Sequence, residues 1–307
     1  MGILDFLILL LLFVLLGLGA YILWLNYPTE KVRYEEYYLN ISEGVYSSEV
    51  QFYPNMRYRD RVISYSISNS CNLNQGLDAE RAFSIISEKT ILRFNRLEDR
   101  NAEIKIFCSD LAPEPEEEGH FVAGEGGPSE IINTSNYAVI FSGKVSLYRE
   151  NECKNPNIAL HEIIHALGFD HNDNEKSIMY PLTKCDQEVD PLIIEEINRI
   201  YKADSKPDLV IERVIANKSG RYLNFEIGVG NFGLKDSKNA RLVIYVGGEF
   251  INDFNLEEIE IGSRKILTVE NLKVPRNAEI INFVVENFEP ELDSENNRVD
   301  IRLVREQ

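Results

Sequence analysis

Apolar residues dominate the start of the chain, where they run almost without interruption from Ile3 to Leu25. A run of this length can cross a bilayer as a helix, and Trp24 and Tyr27 at its end suit the membrane interface. A cleaved signal peptide is the alternative, because Gly17-Leu18-Gly19 offers small residues to a signal peptidase. The apolar pattern continues past these residues, so we assign residues 1–27 to a transmembrane anchor.

Between residues 50 and 203 the pattern changes from one segment to the next. Apolar and polar residues alternate, as they do in strands, in Val62–Ser68 and Ala102–Cys108. Leu77–Phe94 has the period of a helix instead. These patterns predict an α+β domain at residues 50–203.

A polar linker, Lys202–Pro207, separates this region from one of short strands and turn residues. About a hundred residues of the second kind are typical of an antiparallel immunoglobulin-like sandwich. We therefore predict an all-β sandwich domain at residues 207–307. Its expected strands are Leu209–Val214, Tyr222–Val229, Ala240–Val246, Lys265–Val269, Ile280–Val285 and Val299–Val304.

The composition narrows the function classes. A chain of 307 residues has room for two domains of ordinary size and an anchor. Its net charge is −18. Nucleic-acid binding needs clustered Lys and Arg to contact phosphates, so this charge argues against a nucleic-acid partner.

Three of the four histidines lie in the run HEIIHALGFDH at residues 161–171. On an α-helix, His161 and His165 are one turn apart on the same face, so their imidazoles can reach one point. Gly168 tolerates a positive φ and suits a helix end. The chain can therefore turn back there and bring His171 to the same point.

The helix that presents the first two histidines is predicted at about residues 156–167. Asn155 is suited to cap it, and Pro156 suits the first helical position. The alternative is a helix whose histidines are ordinary core or surface residues. The spacing of Gly168 and His171 disfavours that alternative.

Three neutral nitrogen ligands leave one position of a zinc ion open, which is typical of catalytic rather than structural sites. Water in that position has a pKa near ~7 and can attack at neutral pH. Glu162 is placed to take the proton of this water. We therefore predict one catalytic zinc ion bound by His161, His165 and His171, with Glu162 as the catalytic base.

This run resembles that of the metzincin metalloproteases, whose second signature is a methionine-bearing turn beneath the metal. Ser177-Ile178-Met179-Tyr180-Pro181 follows it at a suitable distance. The Met-Tyr-Pro sequence, together with Asp170 before the third histidine, is similar to the matrixin branch. The resemblance implies that Met179 is the Met-turn residue. Tyr180 is not an expected ligand, because the place two residues after the methionine holds Pro181.

The resemblance covers about Val50 to Tyr201 and implies a twisted mixed sheet packed on helices. It also implies a closing helix, for which Asp190–Tyr201 is suited. Metzincins generally bind a peptide as an added strand along a sheet edge. We expect that edge within Phe121–Ser142.

Two features depart from the vertebrate matrixins. No cysteine precedes Cys71, so a cysteine switch is not expected. A second zinc site on three further histidines cannot be built, because His120 is the remaining one. We interpret His120 as a solvated loop residue, and the sequence gives no support for calcium sites.

Four cysteines allow three pairings. Cys153 and Cys185 bracket the zinc helix and the Met-turn, while Cys71 and Cys108 end two strands expected to be neighbours. We predict disulfides within these two pairs, which implies an oxidising compartment. Four reduced, buried cysteines are the alternative.

Three short segments of the C-terminal domain resemble the CARDB family, adhesion-related modules of microbial surface proteins. They read PDLV at residues 207–210, VGNFG at residues 229–233 and DSENN at residues 293–297. The resemblance implies a spacer or a binding module, and it leaves a surface ligand of this domain open.

Orientation in the membrane is inferred indirectly. Lys31 and Arg33 follow the anchor, within a spacer predicted at residues 28–49, and the positive-inside rule favours the cytoplasm for them. The cysteine pairs and the peptidase chemistry favour the outside. We expect a single-pass protein of the cell membrane with an extracytoplasmic ectodomain.

Together these observations predict a membrane-anchored zinc endopeptidase that acts on peptides or proteins. The alternative is a surface adhesion or binding protein with a vestigial metal site, against which Glu162 argues, since a structural site needs no base. A zinc hydrolase that acts on a non-protein amide is a third interpretation.

Overall fold

The computed structural model describes residues 2–26, 31–39, 50–98, 101–114 and 121–304. The helices are α1 (Ile3–Asn26), α2 (Leu73–Lys89), α3 (Asn157–Ala166) and α4 (Pro191–Ile200). The strands are β1 (Lys31–Arg33), β2 (Tyr37–Tyr38), β3 (Met56–Tyr58), β4 (Val62–Ile67), β5 (Arg93–Arg96), β6 (Ile104–Cys108), β7 (Gly124–Asn133), β8 (Ala138–Leu147), β9 (Leu209–Ser219), β10 (Tyr222–Asn231), β11 (Ser237–Val246), β12 (Glu249–Ile259), β13 (Arg264–Lys273), β14 (Ile280–Asn287) and β15 (Arg298–Arg302).

The chain divides into two compact units. The α+β unit contains residues 41–208 and 232–236, and the β unit contains residues 1–40, 209–231 and 237–307. An α/β region with a sheet, followed by a β-rich C-terminal region, confirms the coarse fold prediction. The β unit also includes residues 1–40, which precede the α+β unit in the sequence.

Helix α1 is apolar, and its segment Leu4–Trp24 is the one span in the described part of the chain that is long and apolar enough to cross a membrane. The large apolar side chains of this segment are exposed. Its length and composition agree with a transmembrane helix and also with a signal peptide. The anchor therefore stays a prediction.

The sheet of the α+β unit is mixed. Its order is β3-β8-β6-β4-β5, and β7 also pairs with β8. Strand β7 is antiparallel to β8, whereas the other pairs are parallel. Among the described residues β7 pairs with β8 alone, so its outer side is a sheet edge. This edge falls within the predicted stretch Phe121–Ser142.

Helix α3 is the central helix of this unit. It packs against β7 and β8 on one side and against α2 on another. Every residue from Ala159 to Ala166 is buried. A helix that is buried all round places its polar side chains in a low-dielectric interior, where they need partners.

Helix α2 differs from the predicted helix at Leu77–Phe94. It spans Leu73–Lys89 and begins with a capping box. The Asn72 side chain accepts from the N–H of Gln75 at 2.9 Å, and the Gln75 side chain accepts from the N–H of Asn72 at 3.2 Å. Arg93–Arg96 pairs with β4 as a parallel strand, so sheet pairing overrides the apolar spacing there.

The other predicted elements of this unit lie close to their expected places. Strands β4 and β6 and helix α4 fall inside the stretches predicted as strand, strand and helix. Asp190 caps α4, because its side chain accepts from the N–H of Leu192 at 2.9 Å.

The β unit contains two antiparallel sheets. One has the order β1-β9-β10-β13 with β2 also paired to β9, and the other has the order β12-β11-β14-β15. Apolar residues of both sheets share one core. Strand β12 was not predicted, because Asn252, Asp253 and Asn255 are residue types depleted in strands.

Residues 31–39, which we assigned to a spacer, instead pair with β9 through β1 and β2. Tyr34 lies between the two strands and is buried, and its hydroxyl donates to the carbonyl oxygen of Ala278 at 2.8 Å. Burial raises the pKa of Tyr34 to about 12. The spacer prediction fails for these residues because strands this short show too little alternation to be recognised.

Candidate metal centre

Helix α3 and the turn after it bring three histidines together. His161 and His165 lie on α3, and His171 follows the turn at Gly168, whose φ is 98°. A Cβ at this glycine would lie 2.7 Å from the Cγ of Met56. A side chain at Gly168 would therefore be strained by its backbone conformation and by its neighbour.

The start of α3 differs from the predicted cap. Pro156 is the N-cap residue, and no side chain makes a capping hydrogen bond there. Asn155 contributes its backbone instead, since its carbonyl oxygen accepts from the N–H of Asn157 at 2.8 Å. The Asn157 side chain donates to the carbonyl oxygen of Lys184 at 2.6 Å.

The Nε2 atoms of the three histidines converge. The separation is 3.0 Å between His165 and His161, 3.1 Å between His165 and His171, and 3.2 Å between His161 and His171. Tetrahedral zinc with Zn–N distances of about 2.0–2.1 Å places its nitrogen ligands about 3.4 Å apart. The observed spacing is close to that of a zinc site.

The hydrogen bonds of the other ring nitrogens fix the tautomers. His161 Nδ1 lies 2.5 Å from the carbonyl oxygen of Ile178, and His165 Nδ1 lies 2.7 Å from that of Phe169. A carbonyl oxygen only accepts, so both Nδ1 atoms carry the proton. The Nε2 lone pairs of His161 and His165 then point to the same place. They repel each other unless a cation lies between them. The donor set therefore fits a zinc ion.

Burial keeps these histidines neutral. Desolvation lowers the pKa of His161 to about 3, with a contribution from His165, and lowers that of His165 to about 4. It also lowers the pKa of the more exposed His171. Neutral imidazole is the form that ligates metals, so the three side chains are ready to bind.

Glu162 follows His161 on α3 and is buried, at 7% exposure. Burial raises its pKa to about 8, and the charge of Glu125 adds to the rise. A carboxyl group with a pKa near neutrality can both take and return a proton.

Two glycines of the edge strand pass close to Glu162. A Cβ at Gly124 would lie 2.7 Å from the Cγ of Glu162, and a Cβ at Gly126 would overlap the carbonyl oxygen of Glu162. The sheet edge thus lies directly against this carboxyl group. Sequence reasoning missed these residues, although a Gly-x-Gly pattern inside a strand signals a close backbone approach.

The turn around Met179 supports the first histidine. Met179 is fully buried, and its N–H donates to the hydroxyl of Ser177 at 3.1 Å. Its carbonyl oxygen accepts from the N–H of Asn172 at 3.0 Å. The residue before it, Ile178, provides the carbonyl oxygen that holds His161. The predicted Met-turn segment therefore lies against the candidate ligands.

The structure contains disulfides between Cys71 and Cys108 and between Cys153 and Cys185. Both are the predicted pairs. The second joins the segment before α3 to the segment after the Met-turn. His120, the remaining histidine, lies outside the described residues.

One side chain near the histidines was not foreseen. The ring of Phe52 stacks on that of His165, with centroids 5.7 Å apart and an interplanar angle of 23°. Phe52 carries no sequence signal for this contact, because it lies more than a hundred residues before its partner.

Comparison with known proteins agrees with the site. The protein-family model described as Matrixin matches residues 57–202, which include the three histidines, Glu162 and Met179. No curated protein matches the chain. Among solved structures, the chain is similar to the CARDB domain of the PF1109 protein from Pyrococcus furiosus, a complex with di-metal ions. That match has 22% sequence identity and a TM-score of 0.26, and it covers 32% of this chain and 90% of that one.

Proposed function

We propose that the matrixin-like domain at residues 57–202 makes this chain a zinc-dependent endopeptidase that hydrolyses peptide bonds. The observation that carries the proposal is the convergence of three neutral Nε2 atoms, together with the buried carboxyl group of Glu162 on the helix that presents two of them. A structural zinc site would use four ligands and would need no acid or base.

The residues have distinct roles in this proposal. His161, His165 and His171 hold the zinc ion, and the carbonyl oxygens of Ile178 and Phe169 fix two of their rings. When bound, zinc supplies Lewis acidity that activates water and polarises the scissile carbonyl group.

Glu162 carries the proton in this mechanism. Its carboxylate takes a proton from the attacking water and delivers it to the leaving amine nitrogen. Burial next to a metal centre excludes bulk water, so the carboxyl group exchanges its proton with the reactants rather than with solvent. The neighbouring positive charge of a bound ion favours the carboxylate form that the first transfer requires.

The substrate lies along the outer side of β7 in our proposal. Backbone N–H and C=O groups on that side are available to an extended peptide, which would add a strand to the sheet. Gly124 and Gly126 bring this edge to Glu162. Main-chain hydrogen bonds of this kind tolerate many sequences, so we expect unfolded or extended protein segments as substrates.

We further propose that α1 anchors the enzyme in a membrane with the remainder outside the cytoplasm. The apolar helix and the two disulfides support this location.

Cleavage-site profiling of a complex protein mixture tests the proposed activity. Purified protein with zinc should create new amino termini, and a chelator should abolish them until zinc is returned. A protein that binds zinc yet cleaves no substrate would favour the adhesion alternative.

A further inference from the structure

We propose that Phe52 is a positioning residue for the metal centre, and that residues 50–52 hold the turn between the second and third histidines. This inference rests on the proposed zinc site and deepens it. It concerns the orientation of the ligands and not the proton transfer by Glu162.

Backbone hydrogen bonds join the two segments in antiparallel fashion. The N–H of Phe52 donates to the carbonyl oxygen of Gly168 at 3.1 Å, and the N–H of Asp170 donates to the carbonyl oxygen of Val50 at 3.0 Å. Gln51 and Phe169 form an isolated β-bridge between them. The turn that carries His171 is therefore paired along its length.

The side chain of Gln51 ties residues 50–52 to strand β3. It is buried, and its Nε2 donates to the carbonyl oxygen of Met56 at 2.7 Å. The side chain of Met56 in turn lies under Gly168. Residues 50–52 are thus tied both to the turn and to the strand beneath it.

The ring of Phe52 stacks against that of His165. A second constraint on that imidazole is the hydrogen bond from its Nδ1 to the carbonyl oxygen of Phe169, whose backbone pairs with Gln51. Residues 50–52 therefore act on His165 twice, through the ring directly and through the carbonyl acceptor. Contacts that orient a ligand in this way typically change metal affinity about 10–100-fold when removed.

A purely structural role is the competing explanation. Phe52 is 38% exposed, so its burial contributes less to stability than that of a core aromatic residue. Tyr53, the next residue, is 50% exposed and provides a matched control aromatic position.

The test compares Phe52→Ala, Phe52→Leu, Phe52→Tyr and Tyr53→Ala in the full-length protein. Zinc affinity is measured by competition with a chelator, the ligand geometry by the visible spectrum of the cobalt-substituted protein, and stability by thermal unfolding of the metal-free form. We expect Phe52→Ala to weaken zinc binding about tenfold and alter the cobalt spectrum. Phe52→Leu should have a smaller effect of the same kind. Phe52→Tyr should keep the wild-type zinc affinity and cobalt spectrum, because it keeps an aromatic ring.

Two results would overturn the inference. One is a Phe52→Ala or Phe52→Leu protein with wild-type zinc affinity and cobalt spectrum. The other is a loss of affinity that Tyr53→Ala reproduces. Both readouts are independent of peptide cleavage, so an inactive wild-type enzyme would refute the proposed function and leave this test intact.

Discussion

The Nδ1 atom of His161 lies 2.5 Å from the carbonyl oxygen of Ile178, so the predicted Met-turn segment orients the first candidate ligand. This contact links two regions that are 17 residues apart. Anything that displaces the turn should therefore disturb the metal centre.

The two disulfides allow this link to be tested. Cys153–Cys185 encloses a sequence separation of 32, and Cys71–Cys108 one of 37, so loop-closure entropy predicts similar stabilisation by each, about 3–4 kcal/mol. Replacing either pair with serine should lower the free energy of unfolding similarly. Zinc binding, measured by chelator competition, should weaken when Cys153–Cys185 is replaced and should stay unchanged when Cys71–Cys108 is replaced. Equal effects of both replacements on zinc affinity would contradict the link.

The glycines of β7 give a second prediction. Gly126→Ala should push the edge strand away from Glu162, because the added Cβ would overlap the Glu162 carbonyl oxygen. We expect a loss of about 1–3 kcal/mol in stability and a lower kcat/KM. Gly127→Ala is the control, since a Cβ there meets nothing within 4 Å. If the two variants behave alike in unfolding and cleavage assays, the close approach is unimportant.

The third prediction concerns pH. The pKa of His161 is about 3 and that of His165 about 4, both below the ordinary 6.5, so these ligands carry no proton above about pH 5. Zinc binding then displaces no proton from them. In the Glu162→Gln protein, which lacks the titrating carboxyl group, His171 is then the one candidate ligand left to release a proton on zinc binding. Release of one proton changes zinc affinity by at most about tenfold per pH unit, and we expect this limit to hold between pH 6.5 and 5. Calorimetry or chelator competition measures this, and a change of a hundredfold or more per pH unit would show ordinary histidines.

The fourth prediction concerns the β unit. Tyr34→Ala should lower its free energy of unfolding by about 3–5 kcal/mol, because it removes a buried aromatic side chain and its hydrogen bond to Ala278. Tyr38→Ala should cost little, since Tyr38 is 54% exposed. Denaturant unfolding measures both. Equal stability of the two variants would mean that residues 31–39 are not part of this fold.

The local part of the site was predictable from sequence. His161, His165 and His171 are brought together by one helix and by the turn at its end. Both the helix and the turn can be predicted from eleven consecutive residues. The position of Met179 was implied by family resemblance, which sequence spacing alone would not provide.

The remaining contacts depend on tertiary structure. Phe52 reaches His165, and Gly126 reaches Glu162, across long stretches of chain whose path no local pattern encodes. Within residues 31–39, the short strands β1 and β2 likewise form by pairing with β9. Tertiary pairing decides such short elements, and propensity does not.

In this account the three histidines bind zinc and Glu162 transfers the proton. Comparison of Glu162→Gln with His165→Ala tests this division of roles most directly. Both proteins are assayed for zinc per chain and for peptide cleavage. Glu162→Gln should keep one zinc ion and lose about 10²–10⁴-fold in rate, because the amide cannot carry the proton. His165→Ala should lose zinc and activity together. A Glu162→Gln protein with wild-type zinc content and wild-type cleavage would contradict the account.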